Sequence, residues 1–108
     1  MALAETMKAL QNKFNPSAAG GQNVTLAFDV LDEETGEGKD YYLVIKDGTC
    51  DLQEGRPPKP TCRFTMDSGL LEQIVAGCTD LAKEYKRDCV QARGDLAQLV
   101  KFGEFFPA

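Results

Sequence analysis

The sequence predicts an α+β fold, a five-stranded and mostly antiparallel sheet with helices packed on one face. Three observations point there. Apolar residues alternate with period two within 24–31, 41–45 and 62–66, the signature of strands with one buried face. They recur at helical spacing within 3–14, 70–75 and 96–102. The order of these segments keeps a run of strands apart from the helices, where a parallel α/β fold would alternate them.

Leu3, Met7, Leu10 and Phe14 fall on one face of an opening helix. Asn15-Pro16 ends it, because the residue before proline is pushed out of the helical region. Asn15 then caps a further short turn with Pro16 in its first position. In 24–31, "VTLAFDVL", Val24, Leu26, Phe28 and Val30 share one face of a strand. The charged segment 32–40, "DEETGEGKD", reads as the loop to a second strand. That strand, "YYLVIK", has Tyr41, Leu43 and Ile45 on one face and Tyr42 and Val44 on the other, which predicts a central strand partly covered on both sides. A weaker edge strand is expected over 50–54. After the loop "GRPPKPT" comes a fourth strand with Cys62, Phe64 and Met66 alternating.

Asp67 is the expected N-cap of a helix carrying Leu70, Leu71, Ile74 and Val75, stopped by Gly77. Thr79 is the expected cap of the next helix, with Leu81, Ala82 and Tyr85. "DCVQAR" reads as a fifth strand ended by Gly94. Asp95 and Gln98 have the spacing of a capping box, opening a last helix that presents Leu96, Leu99, Val100 and Phe102.

Composition narrows the function. The 108 residues form one domain, residues 1–108, with 43% apolar residues and a net charge of −5. Nucleic acid is not an expected partner, since affinity for phosphate backbones rests on lysines and arginines that are scattered here. The same charge opposes permanent docking on an anionic membrane but allows transient contact. The N-terminus lacks the pattern of a secretory signal, and no stretch approaches the ~20 apolar residues of a membrane span. A cytoplasmic protein is expected. With no histidine, Ser-His and Cys-His nucleophile pairs are excluded, and the four cysteines have no zinc-site spacing. They read as reduced, small hydrophobes. Neither a cofactor nor a metal is expected. The acidic run lacks the order of a calcium loop.

Five strings, "KFNPSAAGG", "FDVLDEETGEG", "YYLVIKDGTCDLQEG", "TMDSGLLEQIVAGCTD" and "GDLAQLVKF", occur in the order and nearly at the spacing of the sterol carrier protein type-2 domain. The resemblance spans residues 3–106. It implies an apolar tunnel between sheet and helices, and non-catalytic binding and transfer of sterols, fatty acids, fatty acyl-CoAs or phospholipids. On matched positions, Asp47-Gly48 is the turn after the second strand and Gly94-Asp95 the break before the last helix. Leu96, Leu99 and Phe102 fall on the face that closes the tunnel. Many members carry a Gly-Lys pair and a more basic strand before that break, where this chain has "RDCVQAR". The chain ends in Pro-Ala and not in a peroxisomal tripeptide, which favours a bacterial type of protein.

From this reading, Leu26, Phe28, Leu43, Ile45, Phe64 and Met66 are the expected sheet wall of the ligand site. Leu71, Ile74, Val75, Leu81, Leu99 and Phe102 are the expected helical wall, with Phe105 and Phe106 a flap over it. Tyr85, with Lys83, Lys86 and Lys101, is placed at a polar mouth. A monomer or weak dimer is expected, and the alternative function is an accessory domain that docks on a lipid-metabolising enzyme, or dimerises, through Tyr42 and Val44.

Overall fold

In the computed structural model, which describes residues 2–107, the opening helix α1 runs Leu3–Asn12 and buries Leu3, Thr6, Met7 and Leu10. Ala108 of the Pro-Ala ending lies outside the described residues. Phe14 falls beyond the end of α1, and its ring packs 6.0 Å from that of Phe106. The short α2 (Pro16–Ala19) is capped as its sequence predicts, Asn15 Oδ1 accepting from the Ser17 N–H at 3.2 Å.

Four strands follow: β1 (Val24–Asp32), β2 (Glu37–Lys46), β3 (Thr49–Glu54) and β4 (Cys62–Asp67). Then come α3 (Ser68–Val75), α4 (Leu81–Lys86), β5 (Gln91–Gly94) and α5 (Gln98–Phe105). The strands stand in the order β3-β2-β1-β4-β5. All neighbouring pairs are antiparallel except β1 with β4, which run parallel. Strand β2, bonded to β3 and β1, is an interior strand as expected, and β1 takes the middle of the sheet because the parallel β4 inserts on its far side.

Register explains which residues form the core. Phe28 lies opposite Tyr41 on one side and Phe64 on the other, and Leu26 opposite Leu43 and Cys62. These positions and their partners two residues along project toward the helices, because side chains alternate across a strand. The opposite face carries Ala27, Asp29, Asp40, Tyr42, Arg63 and Arg93.

Two local expectations are corrected. The charged segment 32–40 is mostly strand: its turn is confined to residues 33–36, and β2 begins at Glu37. The ladder continues because polar side chains there find partners, Lys39 Nζ meeting Asp32 Oδ2 at 3.0 Å and Asp32 Oδ1 accepting from the Glu34 N–H. The cap of α4 is Asp80, whose Oδ1 accepts from the Lys83 N–H at 2.7 Å, and not Thr79. The Thr79 hydroxyl instead donates to Glu84 Oε2 at 2.7 Å. The cap of α3 is Asp67, as expected.

Helices α3 and α4 end alike. The N–H of Cys78 bonds the Gln73 carbonyl and that of Gly77 the Ile74 carbonyl, with Gly77 at φ 81. In α4 the same pair of bonds runs from Cys89 to Glu84 and from Asp88 to Tyr85, with Asp88 at φ 62. Both are left-handed helix stops, the second built without glycine.

Candidate functional site

The sheet and its helices meet in one apolar cluster. Helix α5 approaches the sheet through Phe102, whose ring lies 6.2 Å from both Phe28 and Phe64 and 5.0 Å from Phe106. Phe28 and Phe64 are themselves 5.6 Å apart. These separations suit tilted and edge-to-face aromatic pairs. Every residue expected on the two walls, with Phe105 and Phe106, belongs to this cluster, and Tyr85 packs against it half-buried. Phe105 and Phe106 are buried within the cluster and do not lie over its rim as a flap. A hydrogen bond of 2.7 Å from the Asn15 N–H to the Phe105 carbonyl ties this end of α5 to α2.

Leu96 departs from its expected place. It is 46% exposed and precedes α5, while Val100 is 66% exposed on the outer side of that helix. Asp95 holds the turn before α5, its Oδ1 accepting from the Ala97 N–H at 3.1 Å. Gln98 does not reach back to the backbone as a capping box would. Its Nε2 donates to Asp95 Oδ2 at 3.2 Å, and its buried Oε1 has no hydrogen-bond partner among the described residues.

The walls pack against each other, and the enclosed tunnel of the sequence reading is not seen among the described residues. The grooves present open to solvent. One, about 800 Å³, lies between α3 and α4 and is lined mostly by polar residues, among them Asp67, Gln73, Lys83 and Glu84. Tyr85 and Lys86 line a separate groove of about 570 Å³, and Lys101 Nζ donates to Gln22 Oε1 at 3.3 Å. The structure therefore does not gather Tyr85 and the three lysines into one mouth. Among the described residues no set of three or more acidic or cysteine side chains is placed to hold a metal ion. No described helix is long and apolar enough to cross a membrane.

Cys50 and Cys62 are buried, as small hydrophobes should be, but Cys78 and Cys89 are exposed, each just after a helix stop. Burial, aided by the charge of Asp51, pushes the Cys50 thiol up to about 12, and burial raises Cys62 as well. Neither buried thiol is thus a ready nucleophile.

The charged cluster on the helix-free face was not anticipated from sequence. Arg63 Nη1 contacts Asp29 Oδ1 at 2.9 Å, and Arg56 lies 3.6 Å from Asp29 and 3.7 Å from Asp40. Asp29 and Asp40 are cross-strand partners. Burial pushes Asp29 up, but a hydrogen bond with Asp40 and the charges of Arg63 and Arg56 together bring it below the ordinary carboxylate range. Asp40 is raised, chiefly by its hydrogen bond to Asp29 and by burial. The alternation of 24–31 and 62–66 carried the signal, since Asp29 and Arg63 both occupy outward positions.

The model of the SCP-2 sterol transfer family matches residues 3–107. The chain belongs to that family. Solved structures of sterol carrier proteins share its fold. The palmitated SCP2L2 of Aedes aegypti is 12% identical with a TM-score of 0.78, covering 100% of this chain and 96% of that one. Sterol carrier protein 2 of Yarrowia lipolytica is 13% identical with a TM-score of 0.70, over 94% and 89%. The sec-alkylsulfatase Pisa1 of Pseudomonas sp. also matches, at 24% identity and a TM-score of 0.74 over 92% of this chain. This SCP-2 chain spans only 15% of that sulfatase, and 17% of a double mutant of the same enzyme. No curated protein matches in sequence.

Proposed function

We infer that the protein binds a hydrophobic ligand between its sheet and helices and carries it through the cytoplasm without catalysing a reaction on it. The ligand is a fatty acid, fatty acyl-CoA, sterol-like lipid or phospholipid. The family match over residues 3–107 carries this reading, and the apolar sheet–helix interface supports it.

The closed interior is compatible with carriage on energetic grounds. A ligand cavity of ~400 Å³, if apolar and left empty, costs about 10 kcal/mol at ~24 cal/mol per Å³. That approaches the whole stability of a small domain. A carrier that survives between rounds must therefore collapse onto its own side chains and reopen for cargo. A chain of about 16 carbons gains about 12 kcal/mol on leaving water, enough to drive that reopening. A bilayer offers the same chain a similar gain without that opening cost, so unloading to a membrane is downhill and loading draws on further contacts at the mouth.

Organic extracts of natively purified protein, examined by mass spectrometry, should contain a retained lipid, and a fluorescent fatty acid should bind the delipidated protein. Leu99→Trp and Ile74→Trp overfill the walls and should abolish that binding, at about 1–3 kcal/mol in stability. Unchanged affinity in folded variants overturns the wall assignment; absence of both retained lipid and fatty-acid binding overturns carriage.

A second reading has support from the sulfatases, in which a domain of this fold is a small part of a much longer enzyme. On that reading the chain is an accessory that docks on a lipid-metabolising enzyme. Tyr42 and Val44, half-buried on the helix-free face, are the surface for it. A stable enzyme complex without retained lipid is its signature.

A further inference from the structure

The helix-free face carries a second, independent feature at its β4–β5 end. Arg63 and Arg93 are direct register partners, and Thr65 and Gln91 are the next pair on the same face. Residues two apart on a strand project together, so two guanidiniums, a hydroxyl and a carboxamide stand side by side. Directly opposed side chains have Cβ atoms about 5 Å apart, and like charges so placed repel. Arg63 is neutralised on its other flank by Asp29. Arg93 is exposed and has no carboxylate partner among the described residues. Arg56, from the loop after β3, completes a groove of about 490 Å³ shared by all three arginines with Asp29, Thr65 and Gln91. Asp29 and Asp40 pair with Arg63 and Arg56, so Arg93 is a cation in excess in a chain whose net charge is −5.

We propose that this groove binds a phosphate monoester dianion, its oxygens held by the Arg63 and Arg93 guanidiniums and by donors from Thr65 and Gln91. Planar guanidinium forks match phosphate oxygens two at a time. A second negative charge is what two opposed arginines require, since one is already partly satisfied by Asp29. A bilayer of anionic headgroups is the poorer occupant. It would lie across the whole face and meet Asp29, Asp40 and Asp51, which project from the same side on β1, β2 and β3, whereas a small dianion reaches only the β4–β5 end. The groove is on the opposite side of the sheet from the apolar cluster, so the proposal does not depend on lipid carriage.

Inorganic phosphate is the probe, titrated against chloride at constant ionic strength and followed by amide chemical shifts and thermal unfolding. Phosphate should give saturable shifts confined to Arg63, Thr65, Gln91 and Arg93, and should raise the unfolding temperature. Arg93→Ala should weaken binding about tenfold or more, with Arg93→Lys in between because the charge remains but the fork is lost. Arg93 is exposed, so both variants should fold; Gln91→Ala, at a second exposed position, should also weaken binding. Absence of a saturable response, or a response that survives Arg93→Ala, overturns the proposal. Binding to anionic phosphatidylglycerol vesicles that requires Arg93 while phosphate has no effect also overturns it.

Discussion

At the scale of single residues, Gly69 and Gly94 present the same steric problem with opposite expected outcomes. A Cβ added at either would come within 2.5 Å of a neighbouring atom. At Gly69 that atom is Glu33 Oε1, the free end of a flexible side chain that accepts the Gly69 N–H. At Gly94 it is the backbone carbonyl of Thr61, fixed by the Asp95 N–H at 2.9 Å, and φ there is +113. Gly94→Ala should therefore cost about 2–4 kcal/mol from strain and crowding. Gly69→Ala should stay within about 1 kcal/mol of wild type, since gained helix propensity offsets the lost hydrogen bond. Urea unfolding of the two variants checks this, and equal effects would contradict it. Gln98 poses the converse case. Among the described residues its buried Oε1 has no partner, and its side-chain N–H donates to Asp95, which is exposed and can turn to water. Gln98→Leu should thus raise stability by about 1 kcal/mol, read by the same unfolding curves; a loss of that size would mean the amide is better satisfied than the structure indicates.

Elements add a constraint that residues alone do not. The β1–β2 hairpin is closed by Asp32 and Lys39 across a turn of 33–36. The Lys39 hydrogen bond, against some opposing burial and with help from the Glu34 N–H, holds the Asp32 carboxyl below its ordinary value. The Asp32 hydrogen bond likewise raises Lys39. A depressed carboxylate contributes stability above its unfolded pKa, and that contribution is lost as pH falls through the folded value. A raised ammonium contributes below its unfolded pKa, and that contribution is lost as pH rises through its folded value. The pair therefore works fully between roughly pH 4 and pH 10. The stability gap between wild type and Asp32→Asn should be widest in that window and close at both ends; a gap independent of pH would remove the ion pair as its cause. This hairpin also shows where sequence was silent. The apolar parts of β1, β2, β4 and α3 were legible because alternation and helical spacing report burial directly. Glu37 to Asp40 carry no apolar signal, yet backbone pairing with Asp29–Asp32 extends β2 through them. Thr79 and Asp80 are both good capping residues, and only the geometry of the chain selects Asp80. The walls of the candidate site were legible as core, but whether a core holds cargo is a matter of packing that periodicity does not encode.

For the whole molecule, the decisive question is which layer moves when a ligand enters. Strand β1 is hydrogen-bonded on both sides, to β2 and to β4, so opening it would break two ladders. Helix α5 has 8 residues, too few to be stable alone, since isolated helices below ~12 residues are marginal in water. It is held by Phe102 and Phe106 in the aromatic cluster and by the Asn15 bond to Phe105. Rings give way to an acyl chain with little change in apolar burial, because one apolar contact replaces another. The carrier reading therefore makes α5 the moving wall, opening at a lower free energy than the sheet. Hydrogen exchange of delipidated protein should show α5 amides exchanging well before those of β1. Palmitate should slow α5 while leaving β1 unchanged, and should raise the unfolding temperature with ligand concentration as mass action requires. If α5 is protected as strongly as β1, or if bound palmitate leaves its exchange untouched, cargo enters by another route and α5 is only a fixed cover.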